Sequence, residues 1–159
     1  MRTLIEVLAG LAILGNAVIY GTDVFVAIVL RPAIAAVDDR TLTQLLGHVH
    51  RIADRRFPAI GAGGLIAAAA TTAVAAASAR WPSAAAGALA TLALITFLAI
   101  YSRISKPVNT ALTAAALADR VPDDARQLQA RWDSVINARA VLQTVALAAL
   151  CVALAAARS

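Results

Sequence analysis

Cysteine is nearly absent: Cys151 is the single one in 159 residues. That excludes an internal disulfide and any CxxC metal pair. Within its apolar run the thiol reads as a small packing residue. Aromatic residues are scarce, at 4%, and no dense Lys/Arg run is interleaved with them. A nucleic-acid partner is therefore excluded despite the net charge of +5. The cations stand instead at the ends of apolar runs, where lipid headgroups meet a membrane protein. There is no HExxH and no HxxxH pair, and no nucleophile triad is visible. Gly61, Gly63 and Gly64 follow no strand, so they form no nucleotide loop.

Charge is missing from long stretches. Phe57–Ala79, Trp81–Ser102 and Ala140–Ala157 carry none. A helix crossing the hydrocarbon needs roughly 20 apolar residues, so these are three spans. Thr3–Leu30 is a fourth, with Glu6 and Asp23 inside it. It continues too far past Asp23 for the apolar core of a signal peptide. A soluble bundle would need polar faces at helical period, and Phe57–Ala79 offers only Thr71, Thr72 and Ser78. The expected fold is all-α: one integral membrane four-helix bundle. Its spans lie near 3–30, 57–79, 83–104 and 137–157. Polar helical segments near 38–55 and 108–136 add to it on the cytoplasmic side. Alanine and glycine let the helix backbones approach closely.

The arginines give a direction. Eleven of the 14 Lys and Arg residues lie between spans one and two or from span three into span four; Arg2, Arg80 and Arg158 lie opposite. The positive-inside rule then puts both termini outside and both polar segments in the cytoplasm. The expected location is the cell (inner) membrane, crossed several times.

Polar residues inside a membrane are costly and ask for a function. Asn16, Tyr20 and Asp23 follow at i, i+4 and i+7, on one helical face. Trp132, Arg139 and Gln143 share a stripe on span four, with Asn137 on the next one. Asn109 lies just beyond span three. All gather toward the cytoplasmic boundary. A carboxylate such as Asp23 needs a proton or a partner there, and both Arg139 and Arg31 are candidates. The stretch "HVHRIADRR" (48–56) holds both histidines. His50 and Asp54 are one helical turn apart. With His48 or Asp23 they could supply three ligands to a single transition metal, although Arg51, Arg55 and Arg56 would repel a cation. A solvated basic collar with no metal is the alternative. Either histidine also suits proton transfer.

Three short motifs carry a resemblance: "VLRPAI" (29–34), "KPVNTALTA" (106–114) and "RWDSVINAR" (131–139). Together they resemble the DUF1772 group of small membrane proteins, which includes the fungal anthrone oxygenases. The matching positions are Pro32, Pro107, Asn109, Trp132 and Arg139. The resemblance implies an oxygenase or oxidase that takes a lipophilic aromatic, anthrone- or phenol-like substrate from the bilayer. Asp23, His50, Asn109 and Arg139 then form the expected catalytic set, with a histidine or carboxylate as base and the arginine stabilising a phenolate. Asn16, Tyr20, Trp132, Asn137 and Gln143 are the expected substrate-binding set. The alternative is a non-enzymatic subunit that binds membrane lipid or a partner. Alanine-rich spans that need more surface to bury suggest a homo-oligomer in either case.

Overall fold

The computed structural model describes residues 1–158. Every regular element is helical. In chain order these are α1 (Arg2–Phe25), a π-helical turn (Val26–Leu30), α2 (Arg31–Ala35), α3 (Asp39–Ala77), α4 (Trp81–Ile100), a second π-helical turn (Tyr101–Ser105), α5 (Lys106–Leu117) and α6 (Ala125–Ala156).

They form four rods that run up and down. Each rod holds an apolar stretch long enough to cross a bilayer: Arg2–Ala35, Asp39–Ala77, Trp81–Leu117 and Ala125–Ala156. The chain is built as a multi-pass membrane protein. At 1.5 Å per residue, rods of 32 to 39 residues are about 48–58 Å long, against about 30 Å of hydrocarbon. The excess is the polar part. The expected polar segments are thus not separate pieces but extensions of the spans beyond the apolar slab. α6 takes in Arg126 through Arg139 as one helix, and α3 runs unbroken through Pro58.

The prolines explain why the rods continue. Pro32 and Pro107 each stand in the first turn after a π-helical turn. A proline has no N–H to give and its ring crowds the preceding turn. One wide turn just before it takes up that crowding without breaking the rod. Two sharp stops use another device. Ala79 and Asp119 adopt left-handed backbone, with φ of 54° and 50°. Behind them Arg80 N–H donates to the Ala75 carbonyl and Arg120 N–H to the Ala115 carbonyl, at 2.9 and 3.1 Å, which closes each helix end. α3 starts at Asp38, whose carboxylate accepts from the Thr41 N–H (2.8 Å) and hydroxyl (2.9 Å).

Around the ring, α1 lies between α3 and α6, and α4 between α3 and α6. The middle of the bundle is built from small residues: Ala12, Ala67, Ala68, Ala90, Ala93, Ala146 and Ala149, with Leu94 and Leu150. Beyond it, at the end that holds the chain termini, Ser83 Oγ donates to the Ala153 carbonyl and an Arg80 Nη to the Ala157 carbonyl, both at 2.8 Å. The opposite, polar end packs larger side chains: Ile34, Leu42, Leu46, Val108, Leu112, Trp132 and Ile136. Gly47 lets α3 lie directly on α5, since a Cβ there would overlap the Leu112 carbonyl and the Ala116 side chain.

Candidate functional site

Toward the polar end the four rods separate around a chamber of about 380 Å³. Its walls are mostly apolar, and its polar groups come from all four rods. Ligand sites in proteins commonly have this composition and size.

Arg139 is the centre of the polar part. It is 6% exposed, and Asp23 is 2% exposed. Arg139 Nη2 donates to Asp23 Oδ1 at 2.7 Å and Nε donates to Oδ2 at 3.2 Å, a two-pronged pairing that suits guanidinium and carboxylate. Nη1 donates to Ser105 Oγ at 2.8 Å. The guanidinium also lies over aromatic rings: 5.0 Å from the Trp132 centroid and 5.2 Å from that of Phe97, within cation–π reach. Of the two partners open to Asp23, the fold selects Arg139. Arg31 stands instead 3.7 Å from Asp133 at the surface.

A second network runs from Tyr101 to Trp132. The Tyr101 hydroxyl donates to Asp54 Oδ1 at 2.8 Å, and Asn109 Nδ2 donates to the same oxygen at 2.9 Å. Trp132 Nε1 donates to Asn109 Oδ1 at 3.0 Å. The Asn109 amide therefore bonds to protein at both ends, which makes it a positioning residue. Tyr101 belongs to the π-helical turn of the third rod, so that wide turn serves the chamber wall directly.

Three side chains lining the chamber carry buried polar atoms without partners: His50, Gln143 and, at Oε1 alone, Gln129. His50 packs its ring on Trp132, with centroids 5.8 Å apart, and its Nε2 has no hydrogen bond. Gln143 is 1% exposed, and both its Nε2 and its Oε1 lack partners. Each unmet group in a dry interior costs on the order of 1–3 kcal/mol. Asn16 also lines the chamber but turns its amide back to the Ala12 carbonyl, at 2.8 Å.

The expected site residues thus divide. Asp23, His50, Asn109, Arg139, Asn16, Trp132, Gln143 and Asp54 all line the chamber. Tyr20 does not. Its buried neighbours Asn16, Ile19 and Asp23 centre the inner face of α1 elsewhere, and Tyr20 falls at its margin, half-buried. Asn137 is exposed; two residues from Arg139, it faces the other side of α6. His48 is exposed for the same reason relative to His50, because α3 is regular helix there. The three ligands His48, His50 and Asp54 are therefore not brought together. No group of three or more potential metal ligands occurs among the described residues. Sequence reasoning missed Ser105 and Phe97. One is a small hydroxyl and the other an apolar ring, and neither type signals a contact to a buried guanidinium.

Fold and site define a class: a multi-pass helical bundle with an amphipathic chamber toward its polar end. No protein-family profile, no curated protein and no solved structure matches the chain.

Proposed function

We propose that the protein is a membrane oxygenase or oxidase acting on a lipophilic aromatic substrate, anthrone- or phenol-like, bound in the chamber. The observation that carries this reading is the pair of unpartnered polar side chains, His50 and Gln143, in an apolar chamber that also holds a buried arginine. A ligand with hydrogen-bonding oxygens on an otherwise apolar ring system would satisfy them. Trp132 and Phe97 offer it flat walls. The motifs around Pro32, Asn109 and Arg139 that resemble the anthrone oxygenases point the same way. The arginine distribution favours an orientation with both termini outside and the chamber's polar end toward the cytoplasmic leaflet. A homo-oligomer would cover the exposed apolar faces further.

The chemistry assigned to this chain's groups is proton abstraction and charge compensation. Asp23 and Asp54 are both occupied by donors, which leaves His50 Nε2 as the free base. It takes a proton from the activated ring carbon. Dioxygen accepts the electron pair left behind, the O–O bond of the resulting hydroperoxide breaks, and one oxygen leaves as water. The balance is one CH2 and one O2 to one C=O and one H2O. Arg139, held by Asp23 and Ser105, supplies the local positive field for the anion, and Gln143 orients the substrate oxygens. No step runs through a metal.

Oxygen uptake by purified protein in liposomes, with anthrone as substrate, tests the reading. Wild type consumes oxygen in proportion to quinone formed. His50→Gln loses at least 100-fold in turnover while it still binds, and Gln143→Leu loses binding. If anthrone binds at the chamber yet no oxygen is consumed, the protein is a non-enzymatic binding subunit. The occupied state of both carboxylates is the observation that favours this second reading.

A further inference from the structure

The chamber is longer than a ring system requires. Its wall follows α3 from Leu46 to Ile66. His50 and Ile66 alone are 16 positions apart, about 24 Å along a helix, which exceeds any two- or three-ring aromatic nucleus. On its α3 and α4 side the far part of the wall is apolar and reaches the outside of the bundle, while Asn16, across from it beside Gly64, keeps its amide on the Ala12 carbonyl. Pro58, Ala62 and Ile66 on α3 and Leu98 on α4 line the chamber and are exposed; Ile66 is 68% and Leu98 46% exposed. These four lie in the charge-free runs 57–79 and 81–102 of rods long and apolar enough to cross a bilayer. Beside them Gly61 also lines the chamber, and a Cβ added there meets nothing within 4 Å. The chamber thus has a polar inner end and an apolar mouth between α3 and α4.

We propose that the ligand is a two-part molecule: a phenolic or quinonoid ring that sits at His50, Gln143 and Arg139, and a long alkyl or prenyl tail that leaves through the α3–α4 mouth into the lipid. This rests on the ligand-binding reading above and adds the substrate class to it. The α3 and α4 side chains that line the tail's path, from Phe57 to Ile66 and from Leu94 to Leu98, are all apolar. The tail therefore gains contact area without desolvation cost, and the ring supplies specificity at the inner end. Loading takes place sideways from the bilayer, so the ligand never crosses water.

Two probes separate tail from ring: meta-pentadecylphenol and meta-cresol, titrated into liposomes and compared at equal mole fraction in the lipid. Trp132, beside the chamber's inner end, is the reporter once Trp81→Phe removes the other tryptophan. Wild type is expected to bind the tailed phenol at least tenfold tighter. Ala62→Phe with Leu98→Phe narrows the mouth and abolishes that advantage, while cresol binding is unchanged. Ile66→Ala, at an exposed position that cannot upset internal packing, lowers the advantage by a smaller factor. Equal binding of the two probes by wild type, or equal weakening of both by the mouth variants, overturns the proposal. Gln143→Leu removes a polar partner of the ring and should weaken binding of both probes. Unchanged binding of both in that variant would instead overturn the ligand-binding reading on which the proposal rests.

Discussion

The two halves of the bundle solve opposite problems with the same four rods. From its alanine-rich middle to its termini, the bundle is held by close backbone approach. Ala68, Ala90 and Ala146 are fully buried, and a Cβ at Gly15 would come within 3.3 Å of Gly64 Cα. In lipid, association comes from packing rather than from escape from water, so small residues at the seam are the efficient choice. Toward the polar end, two π-helical turns, a buried ion pair and large side chains surround the chamber, and close backbone approach is kept where Gly47 meets α5. The solid half clamps the helices so that the other half can stay open. A chamber with unmet hydrogen bonds needs such a clamp, because its own contacts are not optimised for closure.

The comparison can be broken at its most expensive point. Asp23→Ala leaves the Arg139 guanidinium buried without its carboxylate. Loss of one member of a buried pair costs about 3–5 kcal/mol, read as a fall in unfolding free energy in mixed detergent. Glu6→Gln, at the exposed Arg2–Arg158 cluster of the other end, should leave that value unchanged. If both substitutions behave alike, the distinction between the halves fails. The next test is bulk. Ala68→Leu overpacks the solid half and costs about 1–3 kcal/mol, whereas Gly61→Leu, where an added Cβ meets nothing, leaves stability unchanged and only narrows the chamber. A smaller effect of opposite sign is expected at Ala79, whose φ of 54° is strained for alanine. Ala79→Gly stabilises by about 1 kcal/mol, seen as a raised Tm. The least effect on the whole is at the tip of α3. Hydrogen bonds from Thr41 hold the Asp38 carboxyl below its ordinary pKa. A depressed folded value means the cap is fully effective above the unfolded pKa of about 3.9. It is lost as pH falls through the lowered value. The protection factors of the Thr41 and Leu42 amides, corrected for intrinsic exchange, should therefore fall on acidification below about pH 4, while those of Ala67 and Ala68 do not.

Much of this was legible in the sequence, for identifiable reasons. Charge-free runs fix where the rods cross lipid, because the bilayer tolerates no exposed alternative. The stripe of Trp132, Arg139 and Gln143 could be read because helical period alone puts those side chains on one face, and all three line the chamber. Asn16 and Asp23 are the same case on α1. What period cannot settle is which faces meet. Asp23 had two arginines within plausible reach, and only the rotation of α6 against α1 selects Arg139. His48 can join His50 as a ligand only where the backbone is irregular, and α3 is regular helix there. The continuity of the rods was hidden by Pro32 and Pro107, because a π-helical turn leaves no compositional mark. Nor is the open space at Gly61 written in any residue, since a glycine reads equally as tight packing or as room. Gly64, three positions on, is tight packing against Asn16.

The claim on which the account turns is that the chamber is occupied by an aromatic ligand. Photolabelling with a diazirine-bearing alkylphenol in liposomes, followed by mass spectrometry of the peptides, tests it most directly. Label is expected on the chamber wall, at Leu65, Leu98 and Trp132, and is removed by excess unlabelled alkylphenol. Label confined to outward positions such as Leu14, Ile28 and Leu92, with no competition, would contradict it.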